Sequence, residues 1–292
     1  MASNKSYAAA CCGGSSQVPT LITTDDRSQI ISTFSQAEIV VDNVDGDGFW
    51  YKSKNNQKIN TFKIDYTYVW DNDLQAGLSI PVVNRSYMGE TSSGLADMQT
   101  TVGYEFLPER EYNIWKPKGF VYSALILPTG KSKYESEIGG LDSRGRGLWG
   151  VSVGLVFVKV FKNFDFVQSS EVHHYLNSTK SKNNGATVDI SHSLGAVLQA
   201  GMGYNWDKSR IGFGLTHSYE GPFKTHYKTI QTESYHDGAI ENVTSLNLGY
   251  SYMMTDLSGV TVSYSNQTWL GTPRNTSLSS TVSVQLNKRW LR

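Results

Sequence analysis

The chain has 292 residues and a formal net charge of zero, so it lacks the excess positive charge with which proteins bind nucleic acids. Charged residues make up only 18% of the chain and aromatic residues 12%, a composition that excludes a disordered segment of this length. No apolar run approaches the ~20 residues that a membrane-spanning helix requires.

From Ser28 onward, about twelve stretches alternate apolar and polar residues. Strict alternation is typical of a β-strand whose two faces meet different environments. In the second stretch Phe62, Ile64 and Tyr66 share one face, whereas Lys63 and Asp65 share the other. Strands are therefore predicted, in chain order, at 29–41, 61–70, 75–82, 97–106, 119–127, 148–160, 164–176, 188–206, 210–219, 245–252, 260–267 and 281–289.

The two faces of these strands are inverted relative to a soluble protein. One face carries large apolar and aromatic residues, and the other carries mostly Ser, Thr, Gly, Gln and Asn with few charges. A strand with its apolar side in lipid and its polar side in a lumen has this pattern. Because unpaired backbone groups are not tolerated in hydrocarbon, such a sheet must close on itself.

The predicted fold is all-β: a transmembrane antiparallel up-and-down β-barrel of about 12 strands. Short turns follow strands 2, 6, 8 and 10, and longer loops follow the odd-numbered strands. Outer-membrane barrels have short periplasmic turns, so the N- and C-termini are expected to be periplasmic. The predicted domains are an N-terminal periplasmic tail at 1–27 and the barrel at 28–292.

Aromatic residues recur at the ends of the predicted strands. An amphipathic ring fits the interface between hydrocarbon and water, which outer-membrane barrels line with aromatic girdles. The predicted girdle residues are Trp70, Tyr104, Trp149, Tyr204, Trp206, Tyr219 and Trp269.

The start of the chain lacks the apolar core of a secretory signal. Since an outer-membrane protein must be exported, we expect that its native signal has been removed. The adjacent Cys11 and Cys12 are a poor disulfide pair and too few for a zinc site. A flexible tail is the preferred interpretation, with acylation and a plug or partner contact as alternatives.

One segment carries a family resemblance. Residues 120–131, with Leu127-Pro128-Thr129-Gly130 at the strand end, resemble the corresponding segment of the phenol meta-pathway family of outer-membrane transporter proteins. The resemblance implies a porin-like barrel in the outer membrane of a Gram-negative-type cell. It does not imply a particular substrate.

The predicted lumen face carries few charges, and two roles are open for them. They could set ion selectivity, or they could pair across the lumen and brace the wall. Glu171 and His173 share a face and belong with this group. The predicted lumen-lining residues are Lys63, Asp65, Asp97, Glu105, Asp189, Arg210 and Arg289.

Catalytic and metal-binding alternatives have little support. His173 and His174 point to opposite faces of a strand, so they do not chelate one ion together. The stretch 42–48 lacks the register and the final glutamate of a calcium loop. His217 is predicted to face lipid without a catalytic partner at its height. Neither an enzyme nor a cofactor is predicted.

The sequence thus predicts an outer-membrane barrel that acts as a passive channel or transporter for small solutes. The alternatives are a non-conducting structural or partner-binding barrel with a plugged lumen and, third, a lipid-modifying enzyme. Expected partners are outer-membrane lipid, lipopolysaccharide and the solute, with no nucleic acid. A homo-oligomer is compatible with the sequence.

Overall fold

The computed structural model describes residues 20–53, 57–70, 73–109, 111, 113–136, 140–181, 187–228 and 233–291. Cys11 and Cys12 lie outside the described residues. The strands in the described part of the chain are β1 (Asp26–Val44), β2 (Trp50–Lys52), β3 (Lys58–Val69), β4 (Leu74–Tyr87), β5 (Glu90–Leu95), β6 (Met98–Leu107), β7 (Lys118–Leu127), β8 (Gly150–Phe161), β9 (Phe164–Tyr175), β10 (Ser178–Ser181), β11 (Thr187–His192), β12 (Leu194–Trp206), β13 (Ser209–Glu220), β14 (Phe223–Lys228), β15 (Glu233–Asp237), β16 (Glu241–Thr255), β17 (Ser258–Asn266) and β18 (Thr276–Leu291).

Twelve of these strands form a closed antiparallel barrel, which confirms the predicted fold class. Their order is β1, β3, β4, β6, β7, β8, β9, β12, β13, β16, β17 and β18. The last strand pairs with the first from Asp26 opposite Leu291 to Val44 opposite Thr276, so the sheet closes. None of the described residues forms a helix long and apolar enough to cross a membrane.

The barrel wall has its apolar face outside and its polar face inside. On β13, for example, Ile211, Phe213 and Leu215 are exposed, whereas Arg210 and Thr216 are buried. Burial here means enclosure by the barrel, because alternate residues of a strand point to opposite faces. An exterior of this kind exposes far more apolar surface than water-soluble monomers tolerate.

The two ends of the barrel differ in their connections. At the end where β1 begins, here called the turn end, β8–β9 and β12–β13 are joined by two-residue hairpins. Lys162 and Asp207 adopt positive φ there, as tight hairpins require. The opposite end, here called the loop end, carries the long connections other than 108–117, which lies at the turn end. The predicted girdle residues are all exposed, with Trp149, Tyr219 and Trp269 near the loop end.

Four short strands at the loop end form a second sheet outside the barrel. This cap sheet has the order β10, β11, β14, β15. Its Val188 and Ile190 are buried against Tyr134 and Leu148 of the connection 128–149. Strands β10, β14 and β15 lie in the loops predicted after strands 7 and 9, whereas β11 lies in the predicted strand 188–206.

One predicted strand is wrong in its extent. The predicted strand 188–206 is two strands, β11 in the cap sheet and β12 in the barrel. The chain leaves the ladder at Ser193, whose backbone N–H donates to the carbonyl of Pro222. Asp189 is therefore placed in the cap sheet and not on the barrel wall. Unbroken alternation concealed this break, because it continues through both strands.

Candidate functional site

A short segment of the chain before β1 occupies the lumen near the turn end. The amide side chain of Gln75 binds both backbone polar groups of Ile22 in this segment. Ile22 N–H donates to Gln75 Oε1 at 2.7 Å, and Gln75 Nε2 donates to the carbonyl of Ile22 at 3.2 Å. Thr67 Oγ1 donates to the carbonyl of Thr20 at 3.1 Å. Two adjacent barrel strands, β3 and β4, therefore hold this segment against the wall.

Leu21 extends this obstruction along the inner face of the wall. Its side chain is buried in a cluster contributed by β7, β8 and β9, namely Phe120, Tyr122, Val156 and Val167. These strands are separated by β6 from the strands that hold the neighbouring backbone groups. Residues 20–22 thus bridge two sectors of the wall and narrow the lumen from the turn end.

Several charges on the lumen wall are paired. Lys63 Nζ lies 3.1 Å from Asp65 Oδ2, and Arg289 Nη1 lies 3.2 Å from Asp26 Oδ2. Arg210 Nη2 lies 2.7 Å from Asp165 Oδ1. Pairs of this kind neutralise the charge and fix the side chains. Two of these pairs, Arg289–Asp26 and Arg210–Asp165, join different strands and brace the wall along its surface and not across the lumen, whereas Lys63 and Asp65 lie on one strand.

A second polar cluster lies higher in the lumen, toward the loop end. Tyr122 Oη donates to Glu171 Oε2 at 2.8 Å. His173 Nδ1 lies 3.5 Å from Glu171 Oε1, and its Nε2 lies 3.1 Å from Glu220 Oε1. The cluster joins β7, β9 and β13 by side chains alone. Four ionisable side chains thus meet in this cluster, those of Tyr122, Glu171, His173 and Glu220.

The connection 128–149 is anchored by Asp97, which immediately precedes β6. Asp97 Oδ1 accepts the N–H of Gly130 at 2.9 Å, and its Oδ2 accepts those of Arg146 and Gly147 at 2.7 and 3.0 Å. Burial raises the pKa of Asp97, while these three N–H groups and Lys180 oppose the rise. Asp97 therefore holds both ends of the connection with one carboxylate.

The segment that carries the family resemblance is part of the same anchor. Thr129 Oγ1 donates to the carbonyl of Ala96 at 2.6 Å and accepts the N–H of Met98 at 3.0 Å. A Cβ added at Gly145 would overlap the Asp97 carboxylate, so the close approach requires glycine there. The strand-end motif thus docks the connection onto residues 96–98.

The side chain of Arg146 extends from this connection over the loop-end opening toward β13. Its backbone lies at Asp97 beside β6, while its Nη2 reaches Glu220 Oε1 on β13 at 2.6 Å. Around the barrel, β6 and β13 are separated by four strands one way and six the other, so they are nearly opposite. The guanidinium also lies 4.5 Å from the ring centroid of Tyr175 on β9. The side chains of Asp97, Arg146 and Glu220 together therefore reach across the loop-end opening.

The wall next to the Leu21 cluster, from β12 onward, is lined by small residues. A cavity of about 20 Å³, room for roughly one water molecule, is lined there by Gly201, Gly212, Gly249 and Thr261, among others. Hydroxyl groups in this sector pair with one another, as between Ser263 and Ser283 at 2.6 Å. The sector β12–β18 therefore presents small polar groups to the lumen, together with the ion-paired Arg210 and Arg289.

The predicted lumen residues divide into three groups. Lys63, Asp65, Arg210 and Arg289 are in the ion pairs on the wall, and half-buried Glu105 shares the inward face of β6 with Thr101 and Gly103. Asp97 anchors the loop-end connection. Asp189 lies in the cap sheet, where it accepts a hydrogen bond from Thr179 at 2.6 Å.

Other groups that shape the lumen were not predicted. Asp165, Arg146 and Glu220 were missed, whereas residues 20–22 belong to the predicted tail 1–27, for which a plug was one of the alternatives. Asp165 could have been predicted from the alternation, because it shares one face of β9 with the polar residues Ser169, Glu171 and His173. The connection 128–149 has no periodicity, so nothing in its sequence indicated that Arg146 crosses the mouth.

The enzyme and metal alternatives gain no site. His217 lies on the exposed face of β13, where its Nδ1 is 3.0 Å from Thr244 Oγ1. Among the described residues, no carboxylate forms a hydrogen bond or an ion pair with either side chain. Within the same part of the chain, no group of three or more His, Cys, Asp or Glu side chains could hold a metal ion.

The comparisons with known proteins support the fold. No family model matches the sequence, and no curated protein matches it. An outer membrane channel from Pseudomonas putida F1 has a similar structure, with a TM-score of 0.72 and 12% identity over 95% of this chain and 99% of that one. A mutant of the monoaromatic hydrocarbon channel TodX has a TM-score of 0.51 and 10% identity over 91% of each chain. At these identities the likeness establishes a shared barrel fold.

Proposed function

We propose that this protein lies in a bacterial outer membrane and acts as a passive channel or transporter for small polar or amphipathic solutes. One observation carries the proposal: a closed barrel with an apolar exterior encloses a polar interior. Such a wall isolates a hydrophilic passage from hydrocarbon. Two structures of the same fold are described as channels, which supports this interpretation.

The obstructions determine what kind of channel this is. Residues 20–22 narrow the lumen near the turn end, and Arg146 crosses it at the loop end. The part of the lumen that residues 20–22 leave open borders the sector β12–β18, where glycine and hydroxyl side chains line the wall beside Arg210. Solutes then move down their gradient through a narrow path, and we expect small conductance compared with wide general porins.

Single-channel recording of the folded protein in a planar bilayer tests this function. Discrete and reproducible current steps are expected. A folded barrel that gives no current would favour the second candidate, a non-conducting barrel with a plugged lumen. The Leu21 cluster is the specific observation in favour of that candidate.

The membrane location has its own test. Val153 is exposed in the middle of β8, and Tyr235 is exposed on the cap sheet. If lipid surrounds the barrel, Val153→Lys should destabilise it by about 2–4 kcal/mol, because charge on the lipid face is costly. Tyr235→Lys, the matched control, should have little effect. Equal effects in heat-dependent gel-shift assays would argue against a lipid-facing wall.

A further inference from the structure

We propose that Arg146 gives this channel a preference for small anions, carboxylates included, over cations, and that Asp97 is the positioning residue that holds Arg146 in the opening. This inference rests on the proposed function and adds a substrate class to it. Solutes that reach the loop end have unequal access to its positive and negative side chains.

Arg146 is the most accessible charge in its cluster. Its side chain is 35% exposed, whereas that of Glu220 is 17% exposed. Farther down, the side chains of Glu171 and His173 are 10% and 7% exposed. A solute that enters from the loop end thus meets the guanidinium before it meets the carboxylates.

The guanidinium also has capacity left for a ligand. Arginine has five N–H donors, and among the described residues the contacts of Arg146 are its Nη2 bond to Glu220 and the face of Tyr175. A planar fork of donors matches a carboxylate well. The pairing with Glu220 weakens the attraction, which suits a channel, because a solute must also leave.

The other charged groups at the opening reinforce this asymmetry. Asp97 is enclosed by three backbone N–H groups, so its charge faces the connection and not the passage. Lys133, on the same connection, is exposed and lies 4.9 Å from the ring centroid of Phe223. Glu241, at the start of β16 and opposite Glu220 in the β13–β16 ladder, is only half-buried.

Asp97 acts on selectivity through the position of Arg146. In Asp97→Asn, one acceptor oxygen becomes an NH₂ group, which faces N–H donors and cannot accept from them. Either Gly130 or the pair Arg146 and Gly147 then loses its acceptor. We expect the connection 128–149 to detach from residues 96–98. The guanidinium of Arg146 then no longer stays in the opening.

Reversal potentials in a potassium chloride gradient, and then in a potassium benzoate gradient, test the role of Arg146. The wild type should show an anion-to-cation permeability ratio above unity. Arg146→Gln should lower the ratio to unity or below, and Arg146→Lys should retain the preference. Arg274→Gln, which removes an exposed arginine from the last loop-end connection, is the matched control and should leave the ratio unchanged.

Limited trypsin digestion of the folded barrel tests the role of Asp97 without any current. Asp97→Asn should accelerate cleavage after Arg144 or Arg146 and lower the permeability ratio, whereas Asp237→Asn on the cap sheet should do neither. An unchanged ratio in Arg146→Gln would overturn the inference and leave the channel function standing. Absence of current from the folded wild type would overturn the channel function and this inference with it.

Discussion

Arg210 donates from Nε and Nη2 to both carboxylate oxygens of Asp165, at 2.8 and 2.7 Å, inside the barrel wall. The pair links β13 to β9 across the intervening β12. Arg210 is only 5% exposed and Asp165 only 2%, so neither charge is well solvated. Two parallel hydrogen bonds also fix the geometry of the pair.

We expect Arg210→Gln to destabilise the barrel by about 3–5 kcal/mol, because it leaves a buried carboxylate without its cation. Heat-dependent gel shifts of the folded barrel measure this loss. The double variant Arg210→Gln with Asp165→Asn should recover part of it, since no unpaired charge remains. A double variant as unstable as the sum of the two single variants would show that the pair does not act as a unit.

The space around this pair depends on glycine. A Cβ added at Gly203 would overlap the Arg210 guanidinium, whereas a Cβ at Gly249 would lie 3.8 Å from its nearest neighbours. Gly203→Ala should therefore displace Arg210 from Asp165 and lower the thermal stability clearly. Gly249→Ala is the matched control, and we expect it to be nearly neutral. Similar melting temperatures for both variants would contradict this account.

Leu21 is expected to limit conductance. In Leu21→Asp a carboxylate replaces an apolar side chain among Phe120, Tyr122 and two valines, and burying an unpaired charge there is costly. The segment 20–22 should leave the wall, and single-channel conductance should rise. Leu21→Met keeps the volume and should behave like the wild type. Unchanged conductance in Leu21→Asp would show that the segment does not restrict the passage.

The barrel itself was predictable because each strand separates two environments. Alternation along β13 correctly placed Ile211 and Phe213 outside and Arg210 inside. The same rule failed at Ser193, where one strand ends and the next begins in phase. Alternation reports which face a residue takes, but not which sheet the strand joins.

The alternation of apolar and polar residues could not predict the loop-end part of the site. The contact between Arg146 and Glu220 joins residues 74 positions apart, and it depends on the path of a connection without regular structure. Asp97 was predicted to line the lumen, but nothing in the sequence indicated its three backbone partners. The family resemblance marked residues 127–130 as distinctive, and the structure supplies the physical role of Thr129 and Gly130 as docking positions.

The cap sheet should lose stability in mild acid through His192. Burial, together with the nearby cations Arg146 and Lys133, lowers the pKa of His192 to about 4, and Glu220 opposes this shift. Its ring stacks on Phe223 with centroids 5.7 Å apart. A histidine in an unfolded chain has a pKa of about 6.5. Between about pH 4 and pH ~6.5 the unfolded state therefore binds more protons than the folded state.

The stability that neutral His192 supports is therefore complete above pH ~6.5 and declines as the pH falls toward about 4. In His192→Phe the ring contact with Phe223 remains, but the titrating group is removed. The melting temperature of the wild type should thus fall relative to that of His192→Phe over this range. A constant difference between the two proteins from pH 7 to pH 4 would mean that His192 titrates alike in the folded and unfolded states.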